Sequence, residues 1–481
     1  MHSILITLLA AVGTGISSED AASGGPDYGI VVSEATAGDA SWSTVVTALS
    51  AEHQAAVLTY EQVPEESLPE LRKLFPRYVC FVARPAEAGR EFVARVNRLV
   101  RRLDDDPYTD ARWGILTGYD AGDALRIAQH REPLLIRRVA AGTEIALSVC
   151  EEGRWYSELT PGRMVRKDPG EAPKTVQVPA DTTKALVDAL NVYEAQLFVT
   201  SGHATERDWQ IGYGYQNGQF RSRAGQLFGV DLEGRSWPVR SDNPKVYLPV
   251  GNCLMGHIDG PDAMALAWIH SAGVYQMAGY TVPTWYGYAG WGLLDYFVEQ
   301  PGRYTLAEAF LANQHALVHR LATFFPGLET LEDGLAPVLP HGSPSQAALA
   351  AGLSWQDARG LLYDRDTVAF YGDPAWEARI APGETGWEQS LSVTDGEYRF
   401  DVRPLRGEES FQPLNRNGSQ RGGRPLIAFL PHRIRPNSVN ITEGRRFHPL
   451  VTDDFILVPN SAAREVGGPF RVVFRAVPAE D

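Results

Sequence analysis

From Tyr28 onward, short β-type runs alternate with amphipathic helical stretches, and this alternation restricts the fold more than any other feature. The strands read as YGIVVS (28–33), AVLTY (56–60), RYVCFVA (77–83) and RWGILTG (112–118). Between them lie STVVTALSAEH, SLPELRKLF and REFVARVNRLVRRL; the last sets Phe92, Val93, Val96, Leu99, Val100 and Leu103 on one face at helical spacing. Strand–helix alternation implies a parallel sheet covered by helices, so the expected class is α/β. A second α/β block follows. It reads as a strand at 145–150, a helix from Asp181, strands AQLFVTS (195–201) and KVYLPVG (245–251), a helix over DAMALAWIHSAG, and a strand GVYQMAG (273–279). A helix then opens on the capping pair Thr305 and Glu308, and the block closes with TVAFYGDP (367–374). After Gly386 the helical period is gone. LSVT, YRFDVRP, LIAFLP, FILVP and FRVVFRAV read as a β-sandwich of about 95 residues. The expected division is a leader (1–22), an N-terminal α/β subdomain (23–150), a second α/β subdomain (151–385) and the sandwich (386–481).

The leader rests on an apolar run, Ile4 to Val12, followed by small residues and then SSEDAASGGPD. That run is far short of the roughly 20 residues a membrane span needs, and it reads as a secretory signal despite the lack of a preceding Lys or Arg. A secreted, periplasmic or cell-envelope protein without a membrane span is expected. The 44 basic and 59 acidic residues leave a net charge of −15, which argues against a sequence-independent grip on nucleic acid. Three cysteines leave at least one thiol unpaired within the chain.

Two segments place a reactive side chain just past a hydrophobic strand. LFVTSGHATE ends its strand at Ser201-Gly202 and continues with His203; VYLPVGNCLMG ends at Gly251-Asn252 and continues with Cys253. The carboxyl ends of parallel strands form the ligand-binding edge, so neighbouring strands would face His203 with Cys253 across it. A cysteine beside an imidazole supplies a thiolate nucleophile, and the imidazole can protonate a leaving amine. Cys80 and Cys150 lie within β runs and read as buried small hydrophobes.

The pair of blocks, SGHA and GNCLMG, resembles the His and Cys blocks of the caspase-like cysteine peptidases, and among them is most similar to the gingipain family. Cys253 and Gly256 match that family's Cys-x-x-Gly. The loop 279–291 (GYTVPTWYGYAGW) matches its aromatic-bearing loop, and Tyr371-Gly372-Asp373-Pro374 matches the close of its catalytic domain, after which an Ig-like domain follows. The matching stretch runs from 193 to 376; the block before it fits in layout only.

The resemblance implies a cysteine endopeptidase with Cys253 as nucleophile and His203 as acid and base. Backbone N–H groups of Ala204 and Cys253 would bind the oxyanion, and Trp285 and Tyr286 would bind substrate, with a basic residue before the scissile bond. A third acid is expected upstream of the His, for which Glu144, Glu151 and Glu152 all remain open. The implied partner is a protein or peptide substrate, and the protein itself is expected to be a monomer. No cofactor or catalytic metal is expected, and structural calcium is left open. Two residues depart from the family pattern: Ala204 stands where Gly is usual, and Asn252 replaces a small apolar residue. Ala204 and the unlocated acid motivate the alternative, a catalytically silent member acting as an extracellular or envelope binding module. A transpeptidase would share the nucleophile.

Weaker signals read structurally. His315 and His319 lack the glutamate of a zinc-protease motif and read as helix-surface residues. Asp262, beside His257 and Asp259, reads as a helix N-cap, and Asp104 to Asp106 as a solvated helix end.

Overall fold

The computed structural model describes residues 27–331, 343–415 and 423–479. The expected leader lies outside these residues. Twelve strands form one central sheet: β1 (Tyr28–Ser33), β2 (Ala56–Tyr60), β3 (Tyr78–Val82), β4 (Arg112–Leu116), β5 (Arg138–Ala141), β6 (Glu152–Tyr156), β7 (Arg163–Lys167), β8 (Lys174–Gln177), β9 (Leu197–Gly202), β10 (Lys245–Asn252), β11 (Val274–Tyr280) and β12 (Val368–Tyr371). Their spatial order is β2-β1-β3-β4-β12-β11-β10-β9-β5-β6-β7-β8. Strands β2, β1, β3 and β4 are mutually parallel, as are β11, β10, β9, β5 and β6. The junction strand β12 is antiparallel to β11 and meets β4 in a parallel pairing, so the two parallel blocks run in opposite senses.

Helices cover both faces, which is why the strands read as unbroken apolar runs: Ile30, Val31, Phe81, Phe198, Val199, Val246 and Leu248 are all fully buried. Each such side chain contributes roughly 1.5–3 kcal/mol by leaving water. The helix Arg90–Leu99 buries Phe92, Val93, Val96 and Leu99, the stripe its spacing predicted. The helix Leu306–Phe324 opens on the predicted capping box, with Thr305 Oγ1 accepting from the Glu308 N–H (3.2 Å) and the Glu308 carboxylate from the Thr305 N–H (2.8 Å).

Four expectations are corrected. The strand expected at 145–150 is a short 3-10 turn (Leu147–Val149) closed by Cys150 N–H to Leu147 O; the neighbour of β9 is β5 instead, whose RVAA is too short and basic to stand out. Asp262 does not cap the following helix, which starts at Met264 behind Ala263; its carboxylate accepts from the Ala224 N–H (2.6 Å) and is thereby taken. His315 is buried rather than exposed, because its helix is covered on a second side by Phe455 of the C-terminal region. Asp104 to Asp106 is not a freely solvated end: Asp104 and Asp106 gather with Asp453, and burial pushes the Asp106 carboxyl up to about 7.

After residue 386 the chain forms two antiparallel sheets. One orders Trp387–Thr394, Glu397–Pro404, Phe470–Arg475 and Asn440–Glu443; the other orders Leu426–Phe429, Phe455–Val458 and Leu450–Val451. Alternate residues of the smaller sheet serve two cores. Leu426, Ile456 and Val458 pack with Phe400, Val472 and Phe474 of the larger sheet, whereas Ile427, Phe455 and Leu457 join the central α/β core. Among the described residues no helix is long and apolar enough to cross a membrane.

Candidate active site

Strands β9 and β10 are adjacent and parallel, so the segments that follow them leave the same edge of the sheet. Their register shifts once. Thr200 lies opposite Pro249, but Ser201 lies opposite Gly251 and Gly202 opposite Asn252, so β10 carries one extra residue as a bulge. The shift sets Gly202 opposite Asn252, so His203 and Cys253 each directly follow one member of the last pair; an unbulged pairing would have set Gly202 against Gly251 and left the two one residue out of step.

Both strands then turn sharply. Gly202 has φ +99°, which suits glycine, whereas Leu254 has φ +62°, a left-handed value that costs a branched side chain roughly 1–2 kcal/mol. The Leu254 N–H donates to Val282 O (3.1 Å), which holds that turn. Beneath the edge, Gly251 faces Trp291 so closely that an added Cβ would sit 3.0 Å from the indole.

Cys253 is half-buried and free of any disulfide. The Thr284 N–H donates to its Sγ (3.2 Å), and Thr284 Oγ1 donates to Asn252 O (3.0 Å). His203 is exposed, with its ring stacked on Tyr213 at 5.2 Å. Among the described residues no hydrogen bond joins the ring of His203 to Cys253 Sγ. The loops behind the two residues are tied together: Glu206 meets His257 Nδ1 (3.1 Å), and Arg207 donates twice to Asp259 (2.6 and 2.9 Å). The guanidinium of Arg207 holds the Asp259 carboxyl below its usual range. A groove of about 690 Å³ opens beside His203, lined by Ala204, Asp208, Gln210, Tyr213 and Asn217 among others.

The remaining predicted residues divide. Ala204 follows His203 directly and pairs with Trp209 in an isolated antiparallel bridge. Trp285 follows Thr284, is 43% exposed, and leans on Tyr286 and Tyr363. Tyr286 does not offer a surface to substrate: it is 4% exposed, donates to Asp357 (3.1 Å) and lies against Gly360, supporting the loop from within. Of the three candidate acids, only Glu144 leaves the edge shared with His203, two residues after Gly142, whose N–H donates to Val199 O. Glu151 and Glu152 open β6 at the opposite edge, with Glu151 paired to Arg137.

Sequence reasoning missed Glu158, a buried acid just past β6 on the correct edge. Its carboxylate accepts from Trp155 Nε1 (3.1 Å), and its carbonyl accepts from the N–H groups of Tyr213 (2.6 Å) and Gly214 (2.9 Å). Its only sequence signal is its place after a strand that alternation did not reveal. For a cation, Asp104, Asp106 and Asp453 place carboxylate oxygens within 4.8 Å of one another, with Arg433 already on Asp453.

No family model matches the sequence, and no curated protein matches it. Among solved structures the chain is similar to the complex of Porphyromonas gingivalis RgpB pro- and mature domains, with TM-score 0.42 and 10% identity, covering 94% of this chain and 100% of that one. It is also similar to a structure described only as a protease, with TM-score 0.39 and 9% identity, covering 79% and 85%. At this level neither likeness bears on chemistry, which rests on the site's own residues.

Proposed function

We propose that the chain is an exported cysteine endopeptidase of caspase-like, gingipain-like architecture, ending in an Ig-like sandwich. The observation that supports this reading is the bulged β9–β10 register, which sets Gly202 opposite Asn252, the residues directly before His203 and Cys253, at the carboxyl edge. Cys253 thiolate attacks the peptide carbonyl carbon, forming a C–S bond and pushing the carbonyl electrons onto oxygen. The Ala204 and Cys253 N–H groups receive that oxyanion. His203 gives a proton to the departing amine as the C–N bond breaks, then takes one from the water that hydrolyses the thioester. Glu144 is the candidate acid on the His203 side. Exposed Trp285 forms one wall for the residue before the scissile bond, read as basic. The substrate is a protein or peptide, and the enzyme acts as a monomer without a cofactor.

Iodoacetamide treatment of the native protein, with mass-spectrometric mapping, tests the reading. Cys253 should be labelled while buried Cys80 and Cys150 are not, and cleavage of a broad peptide library should stop in step. A native Cys253 that resists alkylation overturns it.

One observation favours a second reading, a catalytically silent binding module: among the described residues, no hydrogen bond orients the His203 imidazole. This reading wins if wild type and Cys253→Ala bind a protein partner equally and neither cleaves the library.

A further inference from the structure

Asn252 is one of the two residues that depart from the pattern of the family the sequence resembles, and its surroundings give it work that a small apolar residue could not do. It is fully buried at the end of β10. Its Nδ2–H donates to the carbonyl of Gly202 (3.0 Å), the residue directly before His203. Its Oδ1 accepts from Thr200 Oγ1 (2.6 Å). With the Thr200 proton committed, the 2.9 Å contact between Thr200 and Tyr247 runs from the phenol to the hydroxyl. Tyr247 is itself buried and stacked on Trp268 at 3.8 Å, so the chain of donors is anchored in the core. On its other side, the Asn252 carbonyl accepts from the hydroxyl of Thr284, the residue whose N–H reaches the Cys253 sulfur.

A buried primary amide is costly unless its donor and acceptor are both engaged, and here both are, in one direction. The need for it lies at Gly202. With φ +99°, that glycine occupies a region where its backbone has few steric restraints, and the direction of the next residue depends on how its peptide plane is set. The Asn252 amide grips that plane by its carbonyl.

We infer that Asn252, braced by Thr200 and Tyr247, is the positioning residue that aligns His203 with Cys253. The inference rests on the cysteine-peptidase reading, and the test separates the two.

The probe is iodoacetamide, and the readout is its second-order rate with Cys253 in the full chain from about pH 5.5 to about pH 8.5, with thermal melting as the fold control. Wild type should react about 10-fold or more faster at neutral pH than His203→Ala. Asn252→Asp keeps the shape and the acceptor for Thr200 but turns an oxygen toward Gly202 O. Its pH–rate profile should approach that of His203→Ala, a loss of about 10-fold at neutral pH. Thr200→Val, a milder change that removes the brace, should move in the same direction, and Thr200→Ser should restore the wild-type profile. Wild-type profiles in both Asn252→Asp and Thr200→Val would overturn the positioning role while leaving the dyad intact. A wild-type profile in His203→Ala would overturn the dyad itself, and the positioning role with it.

Discussion

His315 offers the cleanest single-site test of how the C-terminal region is joined to the α/β core. It is fully buried, and neither ring nitrogen has a hydrogen-bond partner. Its ring stacks on Phe455 at 4.1 Å and meets Tyr108 edge-on, while Arg112 is the charged group that bears on it. Burial, reinforced by Arg112, pushes the imidazole down to about 3. The unfolded chain takes up this proton near 6.5 and the native state does not, so stability from this position is complete above about 6.5 and lost as pH falls from there toward about 3. Between pH 7 and pH 5 the loss is about 2 kcal/mol. His315→Phe keeps an aromatic ring against Phe455 and removes both the unpaired polar atoms and the linked proton. It should gain about 1–3 kcal/mol at pH 7 from the first effect, less any cost of the larger ring. Its advantage should then grow by about 2 kcal/mol at pH 5 from the second. Urea unfolding of both proteins at the two pH values measures this, and the difference between them cancels every other titrating group. An advantage that is the same at pH 7 and pH 5 would refute the buried neutral imidazole.

Two further substitutions probe how the site is held. Gly290→Ala would drive a Cβ to 2.0 Å from the carbonyl of Val250 at the β10 bulge; it should cost about 1–3 kcal/mol in urea unfolding and lower the alkylation rate of Cys253, because the helix it belongs to presses on the bulge. Thr305→Ala removes the cap of the helix Leu306–Phe324 and should cost about 1 kcal/mol by the same assay, with Cys253 alkylation unchanged.

Much of the central sheet was legible because strands buried on both faces are written as apolar runs, and β1, β2, β9 and β10 fall within two residues of where those runs lie. The turn at Leu147–Val149 misled for the same reason. An apolar segment says that it is buried, not that a neighbouring strand pairs with it, and β5 went unseen because a short strand beginning on Arg138 carries little pattern. His315 was misplaced because helical spacing reports one buried face, and the second face became buried only when Phe455 arrived from far along the chain. Glu158 escaped notice because what marks it is the hydrogen bonds it accepts from Trp155 and from the distant Tyr213 and Gly214, which no spacing rule encodes.

The sequence by itself determined the α/β class, the β-rich tail and the two strand ends that carry His203 and Cys253, since local apolar patterning and turn residues act over a few positions. Whether those two strand ends come level with each other was decided only in three dimensions. One extra residue at Val250 sets the register between strands whose pairing spans about 50 positions, and hydrogen bonding across that distance is invisible to any local pattern. The same holds for Asn252, which reads as a departure in the sequence and becomes a brace between two strands once Gly202 lies beside it.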